Sequence, residues 1–137
     1  MRRKQQAILM GALMATFGAA PAAHCQTDDV AAQFAGTWRG NSVCVAKSTA
    51  CHDETVVYRV QKLPARGNVI ISADKIVDGK AITMGSLEFH YDQRSKSWLC
   101  QYAQGVWRLT VAGAQVNGTL KQPDGTLFRQ IALRKDP

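Results

Sequence analysis

No apolar stretch of this 137-residue chain is long enough to cross a membrane as a helix. The longest small or apolar run, Ala7 to Ala20, has fourteen residues. At a rise of ~1.5 Å it spans about 21 Å of a ~30 Å hydrocarbon core. Helical periodicity is missing after residue 34, which excludes bundles and coiled coils. Proline is scarce, and the charged fraction of 20% goes with a hydrophobic fraction of 46%. Collagen and wholesale disorder are therefore excluded. Beyond Lys4 the basic residues are scattered from Arg39 to Lys135, with only Arg134 and Lys135 adjacent, so no concentrated patch for nucleic acid or an anionic surface is expected. The cysteines form no C-x₂₋₄-C pair, the usual mark of a zinc site. Nucleophile elbow, P-loop and metal-binding helix are all absent. Cys51-His52-Asp53-Glu54 is rich in reactive groups, but neighbours on a strand point to alternate faces and cannot converge. Neither catalysis nor a cofactor is implied.

What is present begins with an address. Arg2, Arg3 and Lys4 precede the Ala7–Ala20 run, and Ala20-Pro21-Ala22 closes it with small residues. This three-part order is that of a secretory signal peptide over residues 1–22, removed on export. No membrane anchor is then expected in the mature chain, and the compartment is secreted, periplasmic. A lipid-modified Cys25 is disfavoured by His24 before it. Cleavage after Ala22 leaves fourteen basic against ten acidic residues, a net charge of +4. Such an excess suits a solvated surface. It argues against an inhibitor of a basic enzyme, which would be acidic.

An oxidising compartment favours disulfides. Cys44 and Cys51 flank a six-residue segment and can meet across the arms of one hairpin, a closure contributing roughly 2.5 kcal/mol in the chain-entropy model. Cleavage after Cys25 would leave three cysteines, and cleavage after Ala22 four. Cys25 and Cys100 either bridge the tail to a later strand or leave Cys100 as a small buried thiol.

From residue 34 onward short alternating runs are punctuated by turn residues about every ten positions. Gly36–Lys47, Glu54–Leu63, Asn68–Lys75, Lys80–Tyr91, Ser97–Gln104, Val106–Ala112, Gln115–Gln122 and Thr126–Lys135 read as strands. Asp78-Gly79 and Pro123-Asp124-Gly125 are turns. Gly85 inside the fourth run marks a bulge or corner. Residues 23–33 form a tail with one or two helical turns over Asp28–Phe34, and 34–137 form one all-β domain. Sequential hairpins pair antiparallel. An eight-stranded sheet with one apolar face hides it best by closing into an up-and-down barrel; a two-sheet sandwich is the alternative.

Phe34-x-Gly36-x-Trp38 at the head of such a meander resembles the first-strand signature of the calycins, the lipocalins and their relatives. The resemblance implies a lipocalin-like barrel with Trp38 plugging one end and an arginine near the last strand, Arg129 or Arg134, over its ring. Two departures stand out. Lipocalins are longer and carry a helix after the barrel, whereas this sequence ends at Pro137; and the Cys44–Cys51 hairpin is not a family hallmark. A smaller or shallower cavity follows.

The expected inward set is Trp38, Val56, Tyr58, Val60, Leu87, Phe89, Trp98, Tyr102, Trp107, Leu109, Leu120, Ile131 and Leu133. Eight strands enclose either a packed interior or room for one small ligand. The first reading is a barrel that binds a small apolar or amphipathic molecule through Trp38, Tyr58, Trp98, Tyr102 and Arg129. The second is a solid barrel acting as an interaction or inhibitor module on an envelope protein through its stapled Cys44–Cys51 loop and the Asp92–Lys96 loop. Arg129 falls in the inward phase, so its charge must be paired or reach the mouth. Asp53 and Glu54 cap the hairpin or pair with Arg59; His52 and His90 are surface residues.

Overall fold

A computed structural model describes residues 18–19, 24–45, 50–64 and 67–137. Within the N-terminal helix, side chains are described from Asp29 onward. The segment expected to be a signal peptide falls outside the described residues apart from 18–19, and so does the side chain of Cys25.

Helix α1 (His24–Phe34) precedes eight strands: β1 (Gly36–Cys44), β2 (Glu54–Leu63), β3 (Asn68–Val77), β4 (Lys80–Asp92), β5 (Ser97–Tyr102), β6 (Gly105–Ala112), β7 (Gln115–Lys121) and β8 (Leu127–Lys135). Each pairs antiparallel with the next, and β1 pairs with β8 from Trp38↔Lys135 to Cys44↔Arg129. The result is one closed up-and-down barrel, and the sandwich alternative does not form. Period-two alternation sets the inner wall: Val56, Tyr58 and Val60 on β2, Val69 and Ile71 on β3, Ile131 and Leu133 on β8 are all buried. Gly118 has the inward phase on β7, where a Cβ would sit 2.3 Å from the Leu109 Cδ2 methyl. The glycine thus makes room for Leu109, which is fully buried.

One end of the barrel is solid. The tail was expected to coil for one or two turns, but α1 runs for eleven residues. No glycine or proline interrupts the sequence between Pro21 and Gly36, and tertiary packing supplies the rest of its stability. Ala31 and Phe34 turn into the core with Trp38, Trp98 and Val116. The Phe34 ring lies 6.0 Å from Trp38 and 5.5 Å from Trp98, and Tyr91 lies 5.2 Å from Trp98. The Trp38 indole N–H donates to the Phe34 carbonyl at 2.8 Å, one of the acceptors a helix end leaves unsatisfied. The cation over Trp38 is Lys135, with Nζ 5.3 Å from the ring centroid, in place of the expected Arg129 or Arg134. Register explains the exchange: Lys135 pairs directly with Trp38, whereas Arg129 lies opposite Cys44 at the far end. Lys135 also donates to the Gln33 carbonyl at 3.1 Å.

The outer wall carries its own pairs. Arg59 meets Asp74 at 2.7 Å, so its partner is on β3 and not Asp53 or Glu54. Arg108 donates to Ser97 Oγ at 2.9 Å. The hydrogen bond from Arg59 holds the Asp74 carboxyl below the usual range, and Ser95 does the same for Asp92.

Two outcomes are expected. Trp38→Ala removes the ring joining helix and barrel and should lower unfolding stability by about 3–5 kcal/mol, as for other buried aromatics, measured by urea titration. Asp74 has a lowered folded-state pKa, so its stabilisation is complete above the unfolded value of ~3.9 and is lost as pH falls through the folded one. Asp74→Asn should therefore be the less stable protein at neutral pH, and the gap from wild type should close in acid unfolding curves below about pH 4.

Candidate ligand-binding site

The barrel closes unevenly. β4 has thirteen residues and β5 six, and the two pair only through His90↔Leu99, Tyr91↔Trp98 and Asp92↔Ser97. From Lys80 to Leu87, β4 keeps β3 on one side and no strand on the other among the described residues. The register between β3 and β4 shifts at Ala73/Asp74, where Ala73 faces Gly85 and Asp74 faces Thr83. Met84 is the extra residue, and Gly85 takes φ of +133°, a conformation that suits glycine. The bulge expected at Gly85 is present, and it lies where β4 and β5 part.

A cavity of about 350 Å³ occupies this seam. Its inner wall is Tyr58, Ile71, Ala73 and Phe89; Met84, Leu87, Tyr102 and Trp107 stand at its sides. No carboxylate, histidine, lysine or arginine lines it; Ser86 and Gln104 add neutral polar groups to the two phenols. The volume lies near the lower end of the ~300–1,000 Å³ typical of small-molecule sites. Small residues create it: the closed end is filled by Trp98, Phe34 and Leu109, whereas here Ala73, Gly85 and Ser86 stand on the wall. A hollow of about 620 Å³ on the outside of β6, β7, β8 and β1 is larger. It is an open trough on the convex face, lined by residues such as Arg108, Asn117 and Gln130, and lacks the aromatic enclosure of the seam.

The phenols of the cavity stay protonated. Burial pushes the Tyr58 hydroxyl well above the usual phenol range; Arg129 opposes that shift, while Glu54 and Tyr102 add to it. Burial likewise raises Tyr102, against a hydrogen bond with the Trp107 side chain. Both side chains therefore present neutral hydroxyls. Cys100 is a free, buried thiol whose pKa is raised by burial, a packing residue of the inner wall in this structure.

Sequence reasoning brought five residues to the site. Tyr58 and Tyr102 line the cavity. Trp38 and Trp98 are buried in the solid end beneath α1 and do not reach it. Arg129 is neither a cap for Trp38 nor an open anion grip. Its Nε donates to Ser42 Oγ at 2.7 Å, and Nη2 donates to the Ser42 and His52 carbonyls at 3.1 and 2.7 Å. Nη1 lies 3.3 Å from Cys51 Sγ and 3.6 Å from Cys44 Sγ. Glu54 completes the pairing at 3.3 Å. The expected Cys44–Cys51 disulfide is formed, and Asp53 accepts from the Cys44 amide at 2.8 Å. The inward arginine is thus the floor of the stapled hairpin. Met84, Ala73 and Gln104 were missed as wall residues; the only sequence signal for them was Gly85.

No family model matches the sequence, and no curated protein matches it. Among solved structures, the siderocalin Ex-FABP, described as functioning through dual ligand specificities, superposes with a TM-score of 0.53. The match covers 77% of this chain and 74% of that one at 12% identity. The fold is lipocalin-like. At such identity the likeness concerns the path of the chain, and residue roles do not transfer with it. Within this lipocalin-like barrel, the cavity opens through a side seam between β4 and β5.

Arg129 has only 11% of its side chain exposed, so truncating it strands Glu54 and two carbonyls. Arg129→Met should cost about 2–3 kcal/mol in chemical denaturation, below the ~3–5 of a fully buried pair because Glu54 is partly hydrated. It should also speed proteolytic nicking between Cys44 and Cys51, read by mass spectrometry after reduction.

Proposed function

We propose that this lipocalin-like barrel is an exported binding protein for a small, uncharged, apolar or amphipathic molecule held in the seam cavity. The carrying observation is the cavity itself: an aromatic and aliphatic wall, free of carboxylates, histidine, lysine and arginine, in a barrel otherwise filled by side chains. Apolar contact with Leu87, Phe89 and Trp107 would supply most of the affinity. The hydroxyls of Tyr58 and Tyr102 and the amide of Gln104 would orient a polar group at the opening. A charged group would leave its hydration without a counter-charge on this wall, at considerable cost. The reading requires no bond-making chemistry.

Export rests on the signal-like segment 1–22 and agrees with the Cys44–Cys51 disulfide, which persists in an oxidising compartment. The periplasm is the compartment proposed. The lipocalin-like fold agrees with small-ligand binding, and the siderocalin that shares it is described in terms of ligand specificities. A second reading, docking of an envelope protein on the stapled hairpin, is favoured by Val43 and Val45, which stand exposed beside Cys44.

Titration with the neutral probe N-phenyl-1-naphthylamine should give saturable one-site binding with quenching of Trp107 and a negative heat-capacity change by calorimetry. Ala73→Phe, which fills the cavity, should abolish binding while near-UV circular dichroism keeps the native signature. Unsaturable binding, or undiminished binding by Ala73→Phe, would refute the cavity as the site. A Cys44–Cys51 loop replacement that abolishes capture of a periplasmic protein would favour the second reading.

A further inference from the structure

The geometry points to a neutral carbonyl compound as the ligand of the seam cavity, its oxygen held by the hydroxyls of Tyr58 and Tyr102 and its apolar body against Phe89 and Trp107. The inference rests on the seam being a binding site and adds the chemical class of what it takes.

Tyr58 carries the argument. It is only 6% exposed and lines the cavity. Among the described residues its hydroxyl has no hydrogen-bond partner. Buried hydroxyls ordinarily find one inside the protein, and leaving the bond unmade costs stability. The inward phase of β2 brings the side chain there, opposite Trp38 on β1 and the small Ala73 on β3.

Tyr102 comes from β5, on the other side of the seam. Its oxygen accepts a hydrogen bond from the Trp107 side chain, because an indole can only donate. Its own proton is still there to give. A charge on Tyr102 is felt at Tyr58, so the two phenols face a common space. The remaining polar side chains of the wall do not compete for it. Ser86 Oγ bonds Ser72 Oγ at 2.8 Å, and Gln104 is exposed.

Two donors thus converge on one apolar cavity. A carbonyl oxygen answers both, since it has two lone pairs and no proton of its own. An alcohol accepts as well, but it brings a third proton to a site that already supplies two. A carboxylate would give up its hydration on a wall without a cation. Arg129, whose field reaches Tyr58, is already paired with Glu54. Size narrows the class further. About 350 Å³ holds roughly a dozen heavy atoms at ~30 Å³ each, the share of a water molecule in the liquid. A ketone or ester of that size, with an alkyl or aryl body, meets every condition.

Displacement of N-phenyl-1-naphthylamine by valerophenone, 1-phenyl-1-pentanol and pentylbenzene tests the assignment. The ketone should bind more tightly than the alcohol. Tyr58→Phe and Tyr102→Phe should each weaken the ketone by about three- to tenfold, the worth of one neutral hydrogen bond, and leave pentylbenzene within about twofold. The infrared stretch of carbon-13 carbonyl valerophenone should lie lower in the complex than in hexane and move back up in both variants. A merely structural role would move neither the ketone-to-hydrocarbon ratio nor this stretch. Ligand-free Tyr58→Phe should match wild type in urea unfolding, because no group of the described chain loses a partner. A loss of stability there would mean that the hydroxyl serves the fold, and would overturn the assignment. If ketone and hydrocarbon both bind but neither variant separates them, or if the alcohol equals the ketone, the seam stands as a site and the carbonyl class falls. If the naphthylamine does not bind, or none of the three compounds displaces it, the seam reading falls and this inference with it.

Discussion

The hydrogen bond from the Trp38 indole to the Phe34 carbonyl sets the polarity of the whole molecule. Each group would be a liability without the other. A buried indole N–H needs an acceptor, and the last turn of a helix has carbonyls without donors. Their union at 2.8 Å fixes α1 across one end of the barrel and turns Phe34 onto Trp98. Lys135 secures the same corner twice, over the Trp38 ring and on the Gln33 carbonyl. Three aromatic rings and a helix then leave no space at that end. Any hollow in the barrel must form elsewhere.

It forms where ladder closure fails. Seven of the eight strand junctions are paired over most of their length, but β4 and β5 share three register pairs. The mismatch follows from local sequence. β5 is limited by the turn after Tyr102, while β4 is continuous with a tight Asp78-Gly79 hairpin and runs on for thirteen residues. Gly85 lets the longer strand bulge instead of following its neighbour. Small side chains on the adjoining wall leave the resulting gap unfilled. Cavity and free strand edge are therefore two consequences of one mismatch in strand length.

Much of this was legible in the chain. Alternation located all eight strands within a few residues, and the Gly36-x-Trp38 signature correctly put a tryptophan plug at the head of the meander. Two-residue periodicity also identified Tyr58, Phe89, Trp98, Leu109 and Ile131 as inward. What it does not encode is height along the barrel. Trp38 and Trp98 were grouped with Tyr58 and Tyr102 because all four face inward, yet two lie in the plug and two at the seam. Height depends on register between strands, a non-local quantity. The same blindness explains Arg129, whose inward phase was read correctly while its assignment to Trp38 was wrong. The length of α1 was underestimated because its stability comes from the ring packing it makes with residues far along the chain.

Arg129 also shows how the molecule keeps charge out of its cavity. An inward guanidinium near Tyr58 would draw an anion if it were open. Instead Glu54 cancels its charge, and Ser42, His52 and the two sulfurs occupy its donors. The disulfide holds the segment bearing the His52 carbonyl close to β1, so the staple and the arginine support each other. Tyr58 is thereby left between opposing influences, Arg129 lowering its pKa and Glu54 raising it, with burial deciding in favour of the protonated hydroxyl. The net positive charge of the chain consequently says little about its interior. Selectivity in such a site would come from shape and from two oriented phenols, a discrimination suited to neutral molecules with one polar end.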